Sequence, residues 1–99
     1  MYDFIIVGSG SSGSVLAARL SADPGTRVLV LEAGGSDRHP YVQMPAAFVR
    51  LGGPRFNWGF ETEPQRRLNN RRMYMPQGRL LGGSSSINAM VYIRGNDSD

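Results

Sequence analysis

The sequence contains no cysteine, no lysine and only one histidine, His39. Without cysteine, this chain cannot form disulfides, thiolate nucleophiles or cysteine-based metal sites. Without lysine, a Schiff-base lysine and a P-loop lysine are excluded, and all 11 basic residues are arginine. A lone histidine argues against a metal centre, so we expect no metal. We interpret His39, in a loop before Pro40, as a solvated side chain.

Charge and hydropathy set further limits on the class of protein. The net charge of +3 is too small to indicate nucleic acid or an anionic membrane as a partner. No apolar run approaches the roughly 20 residues of a transmembrane segment. Only Met1, Tyr2 and Asp3 precede the first apolar run, which begins at Phe4, and this is too little for a signal peptide. We therefore expect a cytoplasmic protein, with peripheral membrane association left open.

The most informative part of the sequence is its first third. The patterns predict a strand at about residues 2–8, a helix at 11–22 and a strand at 27–32, with GSGSSG between the first strand and the helix. Glu32 ends the second strand. Strand, glycine-rich turn, helix, strand and acidic residue together form the dinucleotide-binding fingerprint. The alternative is a βαβ turn that needs glycine only for its own geometry.

Each fingerprint residue has a physical reason to be there. Gly8 allows the sharp turn, Gly10 allows the backbone to approach a pyrophosphate, and Gly13 allows the helix to pack on the sheet. The helix N-terminus offers free N–H groups to phosphate, and Ser11 and Ser12 can add hydroxyl donors. Glu32 can accept both hydroxyls of an adenosine ribose and would repel a 2′-phosphate, which argues against NADP.

The middle of the chain has no sustained periodicity. A short helix is predicted within residues 41–51, and a compact aromatic turn at 57–60. Such a long irregular segment is more often a functional loop or lid than ordinary structure. The basic sequence RRLNNRR at 66–72 is interpreted as a solvated or salt-bridged turn between two short strands. Nucleic-acid binding, and contact with a cofactor phosphate or another domain, are its alternatives.

A second glycine-rich stretch, PQGRLLGGSSSINAMVYIRG, covers residues 76–95. Gly82 and Gly83 predict a flexible backbone, and Ser84 is predicted to cap a helix over residues 84–89 that faces an anion. Asn88 is suited to hydrogen-bond an amide-like ring edge, and residues 91–93 predict a strand. A Gly/Ser linker is the alternative, but the stretch is too apolar for a free linker.

These two stretches together resemble the glucose–methanol–choline (GMC) family of FAD-dependent oxidoreductases. The first match is YDFIIVGSGSSGSVLAARL with LEAGG, and the second is GRLLGGSSSINAMVYIRG, which is similar to the family's first signature. Between them, QMPAA, NWGFETEP and NNRR are most similar to the choline dehydrogenase and alcohol dehydrogenase branch. The resemblance covers essentially all 99 residues.

The resemblance implies an α/β fold: a Rossmann-like FAD/NAD(P)-binding βαβ unit with long irregular loops that cover the cofactor. The implied FAD-binding residues are Gly8, Gly10, Ser11, Ser12, Gly13, Glu32, Ala33, Trp58, Gly78, Ser84, Asn88, Ala89, Met90 and Val91. The first five would lie at the pyrophosphate, Glu32 at the ribose and Ala33 near the adenine. Trp58 would pack near the flavin, with a core tryptophan as its alternative. Gly78 and Ser84 would line the phosphate and ribityl part, and residues 88–91 would pass along the flavin ring.

Some members of the family carry a histidine, covalently bound to the flavin, just before the residue that matches Asn88. This chain has Ile87 there, so noncovalent FAD is expected. The implied reaction is oxidation of an alcohol, of the choline or primary alcohol class, by hydride transfer to flavin N5. Oxygen or a quinone-like compound would accept the electrons.

Members of the family run to several hundred residues, and their catalytic histidine lies in a substrate domain. We therefore expect residues 1–99 to be the N-terminal part of an FAD-binding domain, with the substrate domain absent. No residue here is predicted to be catalytic, and the piece alone is expected to be inactive. The alternatives are a fragment of an NAD-linked or other flavin enzyme, and a noncatalytic dinucleotide-binding module.

Overall fold

The computed structural model describes residues 1–98. The chain begins with a βαβ unit: strand β1 (Phe4–Val7), helix α1 (Ser11–Leu20) and strand β2 (Val28–Leu31). The two strands are parallel, with Phe4 opposite Val28 and Val7 opposite Leu31. The predicted order of elements is confirmed, although each element is shorter than predicted.

Helix α1 ends two residues before its predicted end. Ser21 is the C-cap residue, and its backbone N–H donates to the carbonyl of Ala17. The turn that follows is closed by Asp23, whose carboxylate accepts from the Gly25 N–H at 2.9 Å and from the Thr26 hydroxyl at 3.3 Å. An aspartate that bonds the backbone N–H two residues on forms an Asx turn, which directs the chain toward strand β2.

The middle of the chain consists of short elements. Helix α2 (Pro40–Gln43) is followed by a 3₁₀ helix (Pro45–Arg50), which together replace the single helix predicted there. Proline begins each of them, because its fixed φ suits a first helical turn.

His39 precedes helix α2 and differs from its prediction. The ring is half-buried, and its Nδ1 atom accepts the Tyr41 N–H at 3.2 Å. It also packs edge-on against Phe56, with 4.9 Å between the ring centroids. His39 is therefore a helix cap in an aromatic contact rather than a solvated side chain.

A small hairpin follows, formed by strands β3 (Phe60–Glu61) and β4 (Tyr74–Met75). The strands are antiparallel, with Phe60 opposite Met75. The sequence RRLNNRR lies in the connection between them, where Arg66–Leu68 form a 3₁₀ turn. Its four arginines are exposed, in agreement with the predicted turn between two short strands.

The second glycine-rich stretch packs beside the βαβ unit. Gly35 and Leu80 form a parallel bridge, and the Leu81 N–H donates to the Gly35 carbonyl at 2.9 Å. A 3₁₀ helix (Gly83–Ser86) replaces the helix predicted over residues 84–89, and Gly82 rather than Ser84 is its N-cap.

The strand predicted at residues 91–93 is wrong, because these residues form no strand in the structure. Within residues 1–98 no strand pairs with them, and Val91, Tyr92 and Ile93 are 74%, 90% and 83% exposed.

The hydrophobic core is small. Its buried apolar residues are Ile6, Leu51, Phe56 and Leu80. The last three form one cluster, to which Val42 and Ile87 add partly buried contacts. The radius of gyration is 17.0 Å, against about 13 Å for a compact domain of 100 residues. The fold therefore brings its loops together around a thin core and leaves much apolar surface exposed.

Candidate functional site

The first glycine turn, residues 8–13, connects strand β1 to helix α1. Gly8 has φ of +91°, a conformation that suits glycine. A Cβ added at Gly13 would collide with the carbonyl oxygen of Gly8, so the start of the helix lies directly against the turn. A Cβ added at Gly10 would meet no atom within 4 Å. The space beside Gly10 is therefore open to a ligand.

The N-terminus of helix α1 faces this open space without a side-chain cap. Gly10 is the N-cap residue, no side chain bonds to the first turn, and no acidic residue lies there. Ser11 and Ser12 are both exposed at this end. Free N–H groups and the positive end of the helix dipole favour an anion such as a phosphate.

Glu32 reaches back from the end of strand β2 to the first glycine turn. Its Oε2 atom accepts the Ser9 N–H at 2.8 Å and the Ser9 hydroxyl at 2.7 Å, while Oε1 accepts the Gly34 N–H at 2.8 Å. The Ser9 N–H is the main reason why the pKa of Glu32 is lowered; burial opposes it, and the Ser9 hydroxyl and the N–H groups of Gly34 and Ala33 reinforce it. Glu32 is therefore an ionised carboxylate at neutral pH.

The second glycine turn, residues 78–86, docks on the first. The Gly82 N–H lies 3.1 Å from the Ser9 carbonyl oxygen and 3.3 Å from the Ser9 hydroxyl oxygen. A Cβ added at Gly83 would lie 3.0 Å from Cα of Gly10. Ser9 is buried and links both turns to Glu32. The two turns and the end of strand β2 thus form one continuous surface.

Close backbone approach also holds the second turn together. A Cβ added at Gly78 would collide with the backbone of Gly83, and the Gly78 N–H donates to the Ser84 hydroxyl at 3.0 Å. A Cβ added at Gly34 would collide with the backbone of Arg79. Glycine is needed at Gly34 and Gly78 because another part of the backbone packs directly against each of them.

A cavity of about 430 Å³ opens beside the second turn. Its wall is mostly apolar, with Phe48, Leu51 and Ile87, and three residues predicted to bind the cofactor also line it, namely Ser84, Asn88 and Ala89. Asn57, a buried polar residue at 2% exposure, completes the wall.

The structure thus brings most of the predicted site residues into two connected areas. The area at the turns contains Gly8, Gly10, Ser11, Ser12, Gly13, Glu32, Ala33, Gly78 and Ser84. Asn88 and Ala89 lie at the cavity, which Ser84 joins to the turns. Their contacts with a cofactor stay predictions.

Three predicted residues lie outside both areas. Trp58 is 45% exposed and stacks on Phe60 with 6.0 Å between ring centroids, so it is not a core tryptophan. The guanidinium of Arg79 lies 5.5 Å from the Trp58 ring centroid. Met90 and Val91 are exposed at 55% and 74%, and neither lines the 430 Å³ cavity.

Ser9, Gly34 and Asn57 were not among the residues predicted from the sequence. Ser9 stands between two glycines of the fingerprint, so a polar residue there was a signal that the turn has a partner. Gly34 follows Glu32 in the sequence, and its N–H fixes the carboxylate. The role of Asn57 depends on contacts 20 residues away, which no local pattern indicates.

Residues 1–98 contain neither a cluster of metal ligands nor a helix that could cross a membrane. Within residues 1–98, no three histidine, cysteine, aspartate or glutamate side chains are grouped as metal ligands. In the same range, no helix combines the length and the apolar character that crossing a membrane requires.

Comparison with known proteins identifies related sequences. The model of the GMC oxidoreductase family matches residues 2–99. The chain is 57% identical over 100 residues to the alcohol dehydrogenase [acceptor] of Pseudomonas putida, covering 100% of this chain and 18% of the relative. It is also 57% identical over 98 residues to the oxygen-dependent choline dehydrogenase of Rhizobium etli (strain CIAT 652), covering 98% and 18%. The chain thus spans less than a fifth of the length of these relatives.

Solved structures give a consistent result. Pyridoxine 4-oxidase from Mesorbium loti matches with a TM-score of 0.88 and 47% identity, over 99% of this chain and 19% of that one. A formate oxidase of Aspergillus oryzae RIB40, studied for modification of its FAD, matches with a TM-score of 0.85 and 32% identity, over 98% and 18%. The predicted α/β class is confirmed.

Proposed function

This chain belongs to the GMC oxidoreductase family, and we propose that it is the N-terminal part of the FAD-binding domain of a longer enzyme. The family predicted from the sequence is thereby confirmed. The proposed activity is oxidation of an alcohol, acting on the CH–OH group of the donor. The names of the two curated relatives, an alcohol dehydrogenase and a choline dehydrogenase, support that substrate class.

One observation carries the proposal: the open space beside Gly10 adjoins an uncapped helix N-terminus. The space is open, since a Cβ added at Gly10 would meet no atom within 4 Å, and no side chain caps the helix there. The uncapped N–H groups would bind the pyrophosphate of FAD, and Ser11 and Ser12 would add hydroxyl donors. These features fit a dinucleotide with a diphosphate bridge.

Glu32 supports the assignment of the adenosine side. Its carboxylate already accepts three hydrogen bonds from Ser9 and Gly34, and these leave part of its acceptor capacity for a ribose hydroxyl. Its negative charge would repel a 2′-phosphate. Ala33 would lie near the adenine.

The residues of this chain would bind and orient FAD, which supplies two-electron redox chemistry when bound. We propose that FAD is held noncovalently, because Ile87 offers no atom for a covalent bond. We propose that the group that accepts the alcohol proton comes from elsewhere in the enzyme. The electron acceptor, oxygen or a quinone-like compound, and a cytoplasmic location stay predictions.

The test is to purify the longer enzyme that contains this chain and to identify its cofactor. We expect a yellow protein that releases FAD on denaturation, with the flavin absorbing in the supernatant. Bound nicotinamide in place of flavin would contradict the proposal. Flavin that stays with the denatured polypeptide would contradict noncovalent binding alone.

A further inference from the structure

Met90 has a backbone conformation that methionine rarely adopts. Within residues 1–98, the non-glycine residues with positive φ are Asn69, Asn70 and Met90, and φ of Met90 is +55°. Asparagine tolerates this left-handed region because its short polar side chain can hydrogen-bond locally, whereas methionine has no such group. The conformation of Met90 therefore needs support from the residues around it.

Asn88 provides that support through both ends of its side-chain amide. Its Oδ1 atom accepts the Met90 N–H at 2.8 Å, and its Nδ2 atom donates to the Ser85 carbonyl at 3.1 Å. The first bond closes a turn at Met90, and the second ties that turn to the 3₁₀ helix Gly83–Ser86. Asn88 thus fixes the chain after the second glycine turn relative to the turn itself.

The turn at Met90 directs two neighbouring residues into different cavities. Ala89 lines the cavity of about 430 Å³, whereas Met90 lines a second cavity of about 240 Å³. Asn88 lines both cavities, as do Phe48 and Leu51, so these three residues lie between them. A change of φ at Met90 to a negative value would rotate the chain at this point and move Ala89 relative to the larger cavity.

The larger cavity lies toward the flavin end of the proposed FAD site. Ser84 lines it and accepts the Gly78 N–H at 3.0 Å, so the cavity adjoins the second glycine turn. Neither Glu32 nor Ala33, which we assign to the adenosine side, lines this cavity. Its mostly apolar wall suits a planar ring system.

We propose that Asn88 is a positioning residue for the flavin ring of FAD. By holding Met90 in the left-handed conformation, Asn88 keeps the backbone of Ala89 at the wall of the larger cavity, where the ring would lie. This inference rests on the proposed function. It assigns Asn88 a different role from the direct hydrogen bond to a ring edge that the sequence suggests, because the Asn88 amide already bonds to Ser85 and Met90.

The test combines Asn88→Ala with Met90→Gly in the longer enzyme, and the dissociation constant of FAD is measured by flavin fluorescence. In Asn88→Ala, only about one molecule in ten should keep the left-handed turn at a methionine, which weakens FAD binding about tenfold. Glycine adopts positive φ about as readily as negative φ, so the double variant should bind FAD within about twofold of wild type. Met90→Gly alone should also stay within about twofold of wild type.

The rescue separates positioning from direct contact with the ring. Met90→Gly cannot replace a hydrogen bond between the Asn88 amide and the flavin, so a double variant that binds as weakly as Asn88→Ala would overturn the inference. The flavin absorption band should shift in the remaining Asn88→Ala holoenzyme and return to its wild-type position in the double variant. The matched control is Asn96→Ala, which removes the same kind of bond, to the Ser98 N–H at 3.1 Å, outside both cavities. It should leave FAD affinity unchanged.

An FAD affinity of Asn88→Ala within about twofold of wild type would also overturn the inference. If Asn88→Ala does not fold, Met90→Ile tests the same turn with Asn88 intact, because a β-branched side chain is a genuine outlier in the left-handed region. Met90→Ile should bind FAD about tenfold more weakly than wild type; unchanged affinity would overturn the inference. Wild-type enzyme that binds no FAD would instead reject the proposed function.

Discussion

The two glycine-rich turns look alike in the sequence, yet their glycines have different neighbours in the structure. In the first turn, Gly10 faces open space, and only Gly13 is pressed against the chain itself. In the second turn, Gly78 and Gly83 both lie against backbone atoms of the same polypeptide. One turn therefore keeps a glycine for a ligand, while the other uses its glycines to bring loop against loop.

This difference shows that similar glycine-rich motifs do not imply similar roles for their glycines. A glycine in a phosphate-binding turn serves either the cofactor or the fold, and the sequence does not say which. The structure separates the two roles by a simple criterion, namely what a Cβ at that position would touch. Substitutions in the two turns, made in the longer enzyme, test this criterion and the hydrogen bonds that connect the turns.

The largest expected effect is a loss of stability on Gly13→Ala. The new Cβ would collide with the Gly8 carbonyl oxygen, so the turn or the helix must move. We expect the free energy of unfolding to fall by about 3 kcal/mol, as for an overpacked core. Denaturant titration of the apoenzyme measures this. The matched control is Gly35→Ala, whose Cβ would meet nothing within 4 Å and should change stability by less than about 0.5 kcal/mol. Equal stability of the two variants would remove the distinction between packing glycines and free ones.

The second prediction is that Gly10→Ala, unlike Gly13→Ala, weakens FAD binding and leaves stability almost unchanged. Apoenzyme stability should change by less than about 1 kcal/mol, since the Cβ meets no atom and only the N-cap preference is lost. FAD binding should weaken at least about tenfold, or 1.4 kcal/mol, because the methyl group occupies the space beside the turn. Calorimetric titration of apoenzyme with FAD decides the point. Unchanged affinity would place the phosphates away from Gly10.

The third prediction tests whether the negative charge of Glu32 stabilises the turns. The pKa of Glu32 is lowered in the fold, so its contribution to stability is present above the ordinary pKa of a glutamate and is lost as the pH falls through the lower pKa of the folded state. Glu32→Gln should lose about 1.5 kcal/mol of stability near neutral pH, because hydrogen bonds to a charged group are replaced.

The variant should also lack this part of the acid-induced loss. Unfolding by denaturant at a series of pH values tests both effects. A variant with the same pH profile as wild type would mean that Glu32 does not stabilise the turn through its charge.

The smallest effect is expected for Ser9→Ala. The hydroxyl bonds to Glu32 at 2.7 Å and lies 3.3 Å from the Gly82 N–H, but the backbone bonds of Ser9 to both partners stay intact. We therefore expect a loss of about 1 kcal/mol. In a double-mutant cycle with Glu32→Gln, the two losses should be less than additive, since they share one hydrogen bond. Full additivity would show that the two side chains act independently.

Local patterns were sufficient to predict the βαβ unit. Short apolar runs, a glycine-rich turn and the acidic Glu32 indicate that unit within about 30 residues. The same patterns correctly indicated a turn between two short strands at RRLNNRR.

Long-range contacts account for what the sequence did not reveal. The bonds of Ser9 with Glu32 and Gly82, and those of Asn57 with Gln77, join segments whose approach no periodicity indicates. The wrong strand at residues 91–93 has the related cause that a strand needs a neighbour. Val91, Tyr92 and Ile93 have the right composition, but no strand within residues 1–98 pairs with them.

The bond between Ser9 and Gly82 also constrains the order in which this protein assembles. The two residues are 73 positions apart, so closing that loop costs on the order of 4 kcal/mol of chain entropy before any contact compensates it. Strand β1, helix α1 and strand β2 are close in sequence and can form first. The first glycine turn would then be formed before the second glycine turn has docked on it. A cofactor that touches both turns would bind only after they have docked, and would therefore stabilise the docked state.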